Sequence, residues 1–107
     1  MTAIGASTSQ DLTAVVALSR SLASELGPRG VRVNTVIPGP TYTPLAAGMQ
    51  SEEAQRRRAE RTPDGRLGWP EEVAGAIVFL ASECSSHISG AELAVDGGFS
   101  VAGILGA

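Results

Sequence analysis

Val31-Arg32-Val33-Asn34-Thr35-Val36-Ile37-Pro38-Gly39-Pro40 is the stretch whose reading decides the fold. Residues 31–37 are rich in β-branched side chains and are bounded by Gly30 and Pro38, the pattern of a short strand. Pro38-Gly39-Pro40 then forces a turn and ends regular structure. Upstream, residues 9–26 carry Leu12, Val15, Val16, Ser19, Leu22 and Leu26 at i, i+3, i+4, i+7 spacing, which predicts a helix. Thr8 or Ser9 is placed to cap it, Asp11 suits its positive end, and Gly27-Pro28 stops it. Leu18 and alanines 14, 17 and 23 broaden the apolar stripe. A helix apolar on two faces needs a sheet on one side and a second partner on the other. Helix, turn and strand in this order predict an α/β unit built on a parallel sheet.

Downstream, residues 51–61 predict a polar helix capped by Ser51, with Glu52 and Glu53 early and Arg56, Arg57, Arg58 and Arg61 late. That charge order suits the helix dipole. Read functionally, the arginines would meet a phosphate; read as a fold feature, they are a solvated face, and the second reading is preferred. Pro70 opens the next helix, where its missing N–H costs nothing, and Glu71 and Glu72 follow in the first turn. Val73, Ile77, Leu80 and Ala81 mark its buried face. Residues 91–95 predict a second strand, closed by Asp96-Gly97-Gly98, and the tail from Ser100 is small and apolar. The expectation is three helices and two strands.

Composition bounds the function. The chain has 107 residues, enough for one small domain, with 43% apolar and 18% charged residues, which argues against disorder. Its net charge is −3 and every basic residue is arginine, so there is no electrostatic reason to expect nucleic-acid binding. Cys84 stands alone, which excludes an internal disulfide and suits a reducing compartment. His87 is the only histidine, so neither an activated thiol nor a metal site is expected. No apolar run is long enough to span a bilayer, and the first residues lack the features of a signal peptide. Cytoplasm is the expected compartment.

Five motifs occur in order: Arg32-Val33-Asn34, Pro38-Gly39, Gly65-Arg66-Leu67-Gly68-Trp69-Pro70-Glu71-Glu72-Val73-Ala74, Phe79-Leu80-Ala81-Ser82, and Val95-Asp96-Gly97-Gly98. Over residues 12–99 the chain resembles the C-terminal half of a short-chain dehydrogenase/reductase, a family of NAD(P)-dependent oxidoreductases. The resemblance implies the C-terminal portion of a Rossmann-like doubly wound parallel sheet, in one partial domain lacking the N-terminal dinucleotide-binding half. It implies NAD or NADP as cofactor, with Pro38, Gly39, Thr41 and Thr43 matching the loop that closes over nicotinamide and pyrophosphate. Residues 41–66 would form the variable substrate lid.

The resemblance also places the family's catalytic tyrosine at Thr8 and its lysine at Leu12. Proton transfer needs a phenol whose pKa is lowered by a nearby cation, and neither residue can stand in. No catalytic residue is therefore assigned, and Tyr42, without a lysine to partner it, is not promoted. Asp96 is read as a structural cap for local backbone donors.

Three readings follow. In the first, the chain is the C-terminal part of an oxidoreductase that exchanges hydride between nicotinamide and an alcohol or ketone, inactive without the missing N-terminal half. In the second, it is a non-catalytic interaction protein, associating with itself as a homo-oligomer or with intact relatives. In the third, translation has been assigned to an internal Met. The first is preferred.

Overall fold

The computed structural model describes residues 9–102, with side chains from Leu12 onward. Helix α1 spans Ser9–Leu26, strand β1 Thr35–Pro38, helix α2 Pro44–Met49, helix α3 Glu52–Glu60, helix α4 Pro70–Ala81, strand β2 Glu92–Val95 and helix α5 Phe99–Ala102. Short 3-10 turns follow α1 at Gly27–Arg29 and α4 at Glu83–Ser85. The strands form a two-stranded sheet. Thr35 N–H donates to Ala91 O and Gly39 N–H to Val95 O, so both strands advance together and the pairing is parallel. The chain has the α/β architecture expected of it.

Two compact units divide it. The first comprises residues up to Val36 together with Ile77–Leu93; the second comprises Ile37–Ala76 together with residues from Ala94 onward.

In the first unit, α1 has the predicted bounds. Its less exposed positions are Leu12, Val15, Val16, Ser19, Leu22 and Leu26, the stripe read from the spacing, with Ala23 beside them. The second face stays uncovered: Ala14, Ala17 and Leu18 are exposed. Gly30, at φ 77°, ends the turn after α1 by donating its N–H to Gly27 O. The caps read at Thr8 or Ser9, and the Asp11 side chain in the first turn, lie outside the described residues or side chains.

Arg32 and Asn34 explain why the strand starts later than expected. The Arg32 guanidinium donates to the carbonyls of Leu80 (2.8 Å), Ser82 (3.3 Å) and Ile88 (3.0 Å). Asn34 donates from Nδ2 to Ile88 O and accepts Ala91 N–H on Oδ1. Val33 bonds to Ser89 Oγ and Gly90 N–H. Val31 N–H returns to Leu26 O, and residues 32–34 spend their hydrogen bonds on the end of α4 and the irregular connection that leads to β2. The ladder begins only at Thr35 and runs to Pro38, not over 31–37; β2 likewise begins at Glu92 instead of residue 91. Ser85, 1% exposed, completes this knot by donating Oγ–H to Leu80 O and Ser82 O. Leu80 is the one buried apolar side chain among the described residues.

In the second unit, α3 is capped as predicted, with Ser51 Oγ accepting Ala54 N–H, and ends at Glu60 with Arg61 as cap. Two helices went unread. The helix α2 follows Thr43, whose Oγ1 accepts Ala46 N–H, with Pro44 at its first position. The helix α5 lies in what reads as a featureless tail, and Asp96 accepts the Ser100 N–H inside it. The described residues thus hold five α-helices, not three.

Candidate functional site

Open α/β sheets bind ligands beyond the carboxyl ends of their strands, because loops leaving that edge are free to diverge. Pro38 is the carboxyl end of β1 and Val95 that of β2. The loops that leave these two ends belong to the second unit, as does the segment before α4. Gly39 adjoins Asp96 so closely that a Cβ on residue 39 would lie 2.5 Å from Asp96 Cβ and 2.7 Å from its Cα. The glycine is required there by the neighbouring turn of the protein itself.

Thr41 and Gly68 form a parallel bridge, with Tyr42 N–H donating to Gly68 O (2.8 Å) and Gly68 N–H to Pro40 O (2.9 Å). The loop after β1 is thereby stapled to the residues that lead into α4. Thr41 Oγ1 donates to Gly39 O at 2.8 Å, and Thr43 Oγ1 caps α2. Pro38 is exposed, whereas Gly39, Thr41 and Thr43 are half-buried. The four loop residues read from the sequence are thus one continuous turn, and both threonine hydroxyls have local partners. Tyr42 and Trp69 pack beside the staple in a tilted pair, with ring centroids 5.5 Å apart and planes inclined at 57°.

Arg66 and Glu72 hold the other side. The guanidinium contacts both carboxylate oxygens, at 2.7 and 2.9 Å, and Trp69 N–H donates to Glu72 Oε1 at 2.9 Å. Glu72 thus reaches back to the residue preceding α4, as a glutamate at the third helical position does in a capping box. The hydrogen bond from Arg66, with that from the Trp69 backbone, lowers the Glu72 pKa from 4.5 to about 2. The same pairing raises that of Arg66. Sequence reading took Glu72 only as a complement to the helix dipole. The signal for its second role is the Arg66-x-Gly68-x-Pro70-x-Glu72 spacing, which puts a cation within reach of the helix start.

Asp96 behaves as read: Oδ1 accepts Gly98 N–H and Oδ2 accepts Ser100 N–H. Burial pushes its carboxyl up, but hydrogen bonds from Ser100 and Gly98 outweigh this and leave it below the usual carboxylate range. Pro40, Arg66, Gly68, Trp69, Asp96 and Gly97 line a cleft of about 40 Å³, room for little more than a water.

A family model described as Enoyl-(Acyl carrier protein) reductase matches residues 12–100, which include every motif in this geometry. The chain belongs to the short-chain dehydrogenase/reductase family. A short chain dehydrogenase family protein from Francisella tularensis subsp. tularensis SCHU S4 has a similar crystal structure, with a TM-score of 0.78 and 30% identity. That match covers 86% of this chain and 42% of the solved one. A cis-4-hydroxycyclohexanecarboxylate dehydrogenase of Sinomonas cyclohexanicum is 46% identical over 91% of this chain and 40% of its own length. An L-rhamnose 1-dehydrogenase (NAD(P)(+)) of a Sphingomonas sp. (strain SKA58) is 46% identical over 81% of this chain and 35% of its own length. The chain thus spans well under half the length of these curated relatives.

Of the short-chain dehydrogenase/reductase catalytic pair, the position matched by Thr8 lies outside the described residues. Leu12 lies on the half-buried stripe of α1. Among the described residues no group of three or more His, Cys, Asp or Glu side chains is placed to hold a metal. His87 and Cys84 are exposed in the turns after α4. No helix among the described residues is long and apolar enough to cross a membrane.

Proposed function

We propose that this chain supplies one wall of the nicotinamide and substrate site of an NAD(P)-dependent oxidoreductase that interconverts an alcohol and a ketone in the cytoplasm. The observation that carries this reading is the stapled turn of Pro38, Gly39, Thr41 and Thr43 at the carboxyl end of β1. The residues present fit a nicotinamide cofactor. Thr41 spends its proton on Gly39 O and keeps oxygen lone pairs to accept an amide N–H, which a nicotinamide carboxamide offers. Thr43 accepts from Ala46 N–H and keeps its own proton to donate, as to a phosphate oxygen. When bound, the cofactor supplies the hydride. The relative whose name carries NAD(P)(+) supports the cofactor class.

Neither Thr8 nor Leu12 can move the proton that must accompany hydride transfer, because an aliphatic alcohol is too weak an acid and leucine has no charge to strengthen one. Turnover therefore requires a complementary dinucleotide-binding half with its own proton donor. The test is to assay the purified chain with NADH, NADPH and a panel of carbonyl compounds, alone and co-expressed with the first half of a relative. Activity only in the pair is expected, with Thr41→Val weakening NADH binding. Turnover by the chain alone, after contaminating reductases are removed, would sink the reading.

Association is a second reading with its own observation. In the first unit Leu18 is 47%, Val78 67% and Phe79 42% exposed, an unusual outlay of large apolar side chains for a surface without a partner. A homo-oligomer, or a complex with a relative, would cover them. Sedimentation at micromolar concentration checks it: a folded monomer counts against association.

A further inference from the structure

Thr62-Pro63-Asp64-Gly65 follows α3 in a tight turn, closed by Gly65 N–H donating to Thr62 O at 2.8 Å. Thr62, 3% exposed, ties the turn to the helix by donating its hydroxyl to Arg58 O. Asp64 Oδ1 accepts Arg66 N–H, the bond that an aspartate makes to the backbone two residues on. Turn chemistry accounts for that bond and for nothing more. The carboxylate also lies against Gly97, where a Cβ would stand 2.5 Å from Asp64 Cγ and 2.6 Å from each oxygen. Asp64 N–H donates to Gly97 O as well, at 3.2 Å.

Two routes lead from Asp64 to the loop after β1. On the first, Gly97 adjoins Asp96, whose Cα and Cβ fill the space beside Gly39. On the second, Asp64 Oδ2 stands 3.7 Å from Arg66 Nε, the Arg66 guanidinium grips Glu72, and Glu72 accepts the Trp69 N–H. Gly68, next to Trp69, donates to Pro40 O and accepts Tyr42 N–H. The contacts close into a ring within the second unit, and Asp64 is where its two arms meet. Close packing transmits displacement, since it leaves no void to absorb one. Thr41 stands between Pro40 and Tyr42, the residues on which the second arm ends.

We propose that Asp64 is a positioning residue for the nicotinamide: through Gly97 and through Arg66 it sets where the Thr41 hydroxyl stands, and it touches neither cofactor nor substrate. The proposal rests on the cofactor reading of the loop after β1. Thr43 is held separately by its cap on α2, so the effect falls on the nicotinamide and spares the rest of the dinucleotide.

Asp64→Ala removes the carboxylate; Asp64→Asn keeps its shape and an acceptor oxygen for Arg66 N–H. In the full chain without ligand, hydrogen exchange is followed at Gly68 and Tyr42, the amides that pin the loop, with Thr35 of the first unit as control. Asp64→Ala should quicken exchange at Gly68 and Tyr42 and leave Thr35 unchanged, and Asp64→Asn should keep it slow. NADH and ADP-ribose, which lacks the nicotinamide, are then titrated into the chain co-expressed with the first half of a relative. Asp64→Ala should weaken NADH binding about tenfold, the scale of one hydrogen bond lost to a ligand. ADP-ribose binding should not change, and Asp64→Asn should bind both as the parent chain does.

Unchanged exchange at Gly68 and Tyr42 overturns the proposal whatever the ligands do. Quickening at Thr35 as well, or equal weakening of the two ligands, overturns it in favour of a general structural role. NADH binding that Asp64→Ala leaves intact overturns it too. In each of these cases a parent pair that binds NADH keeps the cofactor wall standing. A parent pair that binds no NADH brings down both readings.

Discussion

Gly39 and Asp96 touch at the carboxyl ends of the two strands, with no room between them for a β-carbon. The contact sets the spacing between the loop that follows β1 and the turn that follows β2. The space beside Gly39 is taken by the backbone and Cβ of the neighbouring turn.

Gly39→Ala is therefore expected to destabilise the chain by about 1–3 kcal/mol, the usual cost of forcing an extra methyl into a filled site. The obstacle includes Asp96 Cα, so rotating a side chain cannot relieve it. Gly75→Ala is the control. Nothing lies within 4 Å of a Cβ there, and the residue is inside α4. It should stabilise by about 0.5–1 kcal/mol. Denaturant midpoints of the two variants must move in opposite directions.

Arg32→Lys should behave as a disruptive change. The guanidinium fork reaches three carbonyls on different residues, and a single ammonium cannot match that geometry. A loss of about 1.5–3 kcal/mol is expected, on the scale of hydrogen bonds to a charged group. Hydrogen exchange should quicken at Gly90 and Ala91, whose amides donate to Val33 O and Asn34 Oδ1. If exchange there is unchanged, Arg32 is not what holds the connection between α4 and β2.

Acid should loosen the second unit through Glu72. Its pKa is lower in the folded chain, about 2, than the ordinary 4.5, so its contribution to stability is complete above the ordinary value. That contribution fades as pH falls from about 4.5 towards 2. Glu72→Gln should flatten this part of the acid titration. Trp69, whose N–H donates to Glu72, is the natural fluorescent probe.

Gly97→Ala should be more harmful than Gly39→Ala. Residue 97 has φ 60°, where a side chain costs about 1–2 kcal/mol, and its Cβ would also strike the Asp64 carboxylate at 2.5 Å. Asp64 accepts Arg66 N–H, so displacing it also disturbs the loop beside Glu72. The midpoint of chemical unfolding, compared with that of Gly39→Ala, decides this.

Local chemistry alone determined much of the chain. The period of Leu12, Val15, Val16, Ser19, Leu22 and Leu26 placed α1 and its half-buried stripe, because helical spacing needs no knowledge of neighbours. Ser51, Gly27-Pro28 and Pro70 marked helix ends by the donors they satisfy or lack. The motifs carried the family, and Asp96 was legible as a cap. The tertiary structure decided what depends on partners far away in sequence. Residues 32–34 look like strand but are drawn off by Ser89, Gly90 and the carbonyls that Arg32 and Asn34 bind. The helix α2 hides because its large residues face out and its small ones in, the opposite of the pattern periodicity looks for. Glu72 gains its pairing with Arg66, and Gly39 its necessity, only when loops from separate segments meet. Propensity and capping act within a turn or two of chain; close packing and charge pairing act across space.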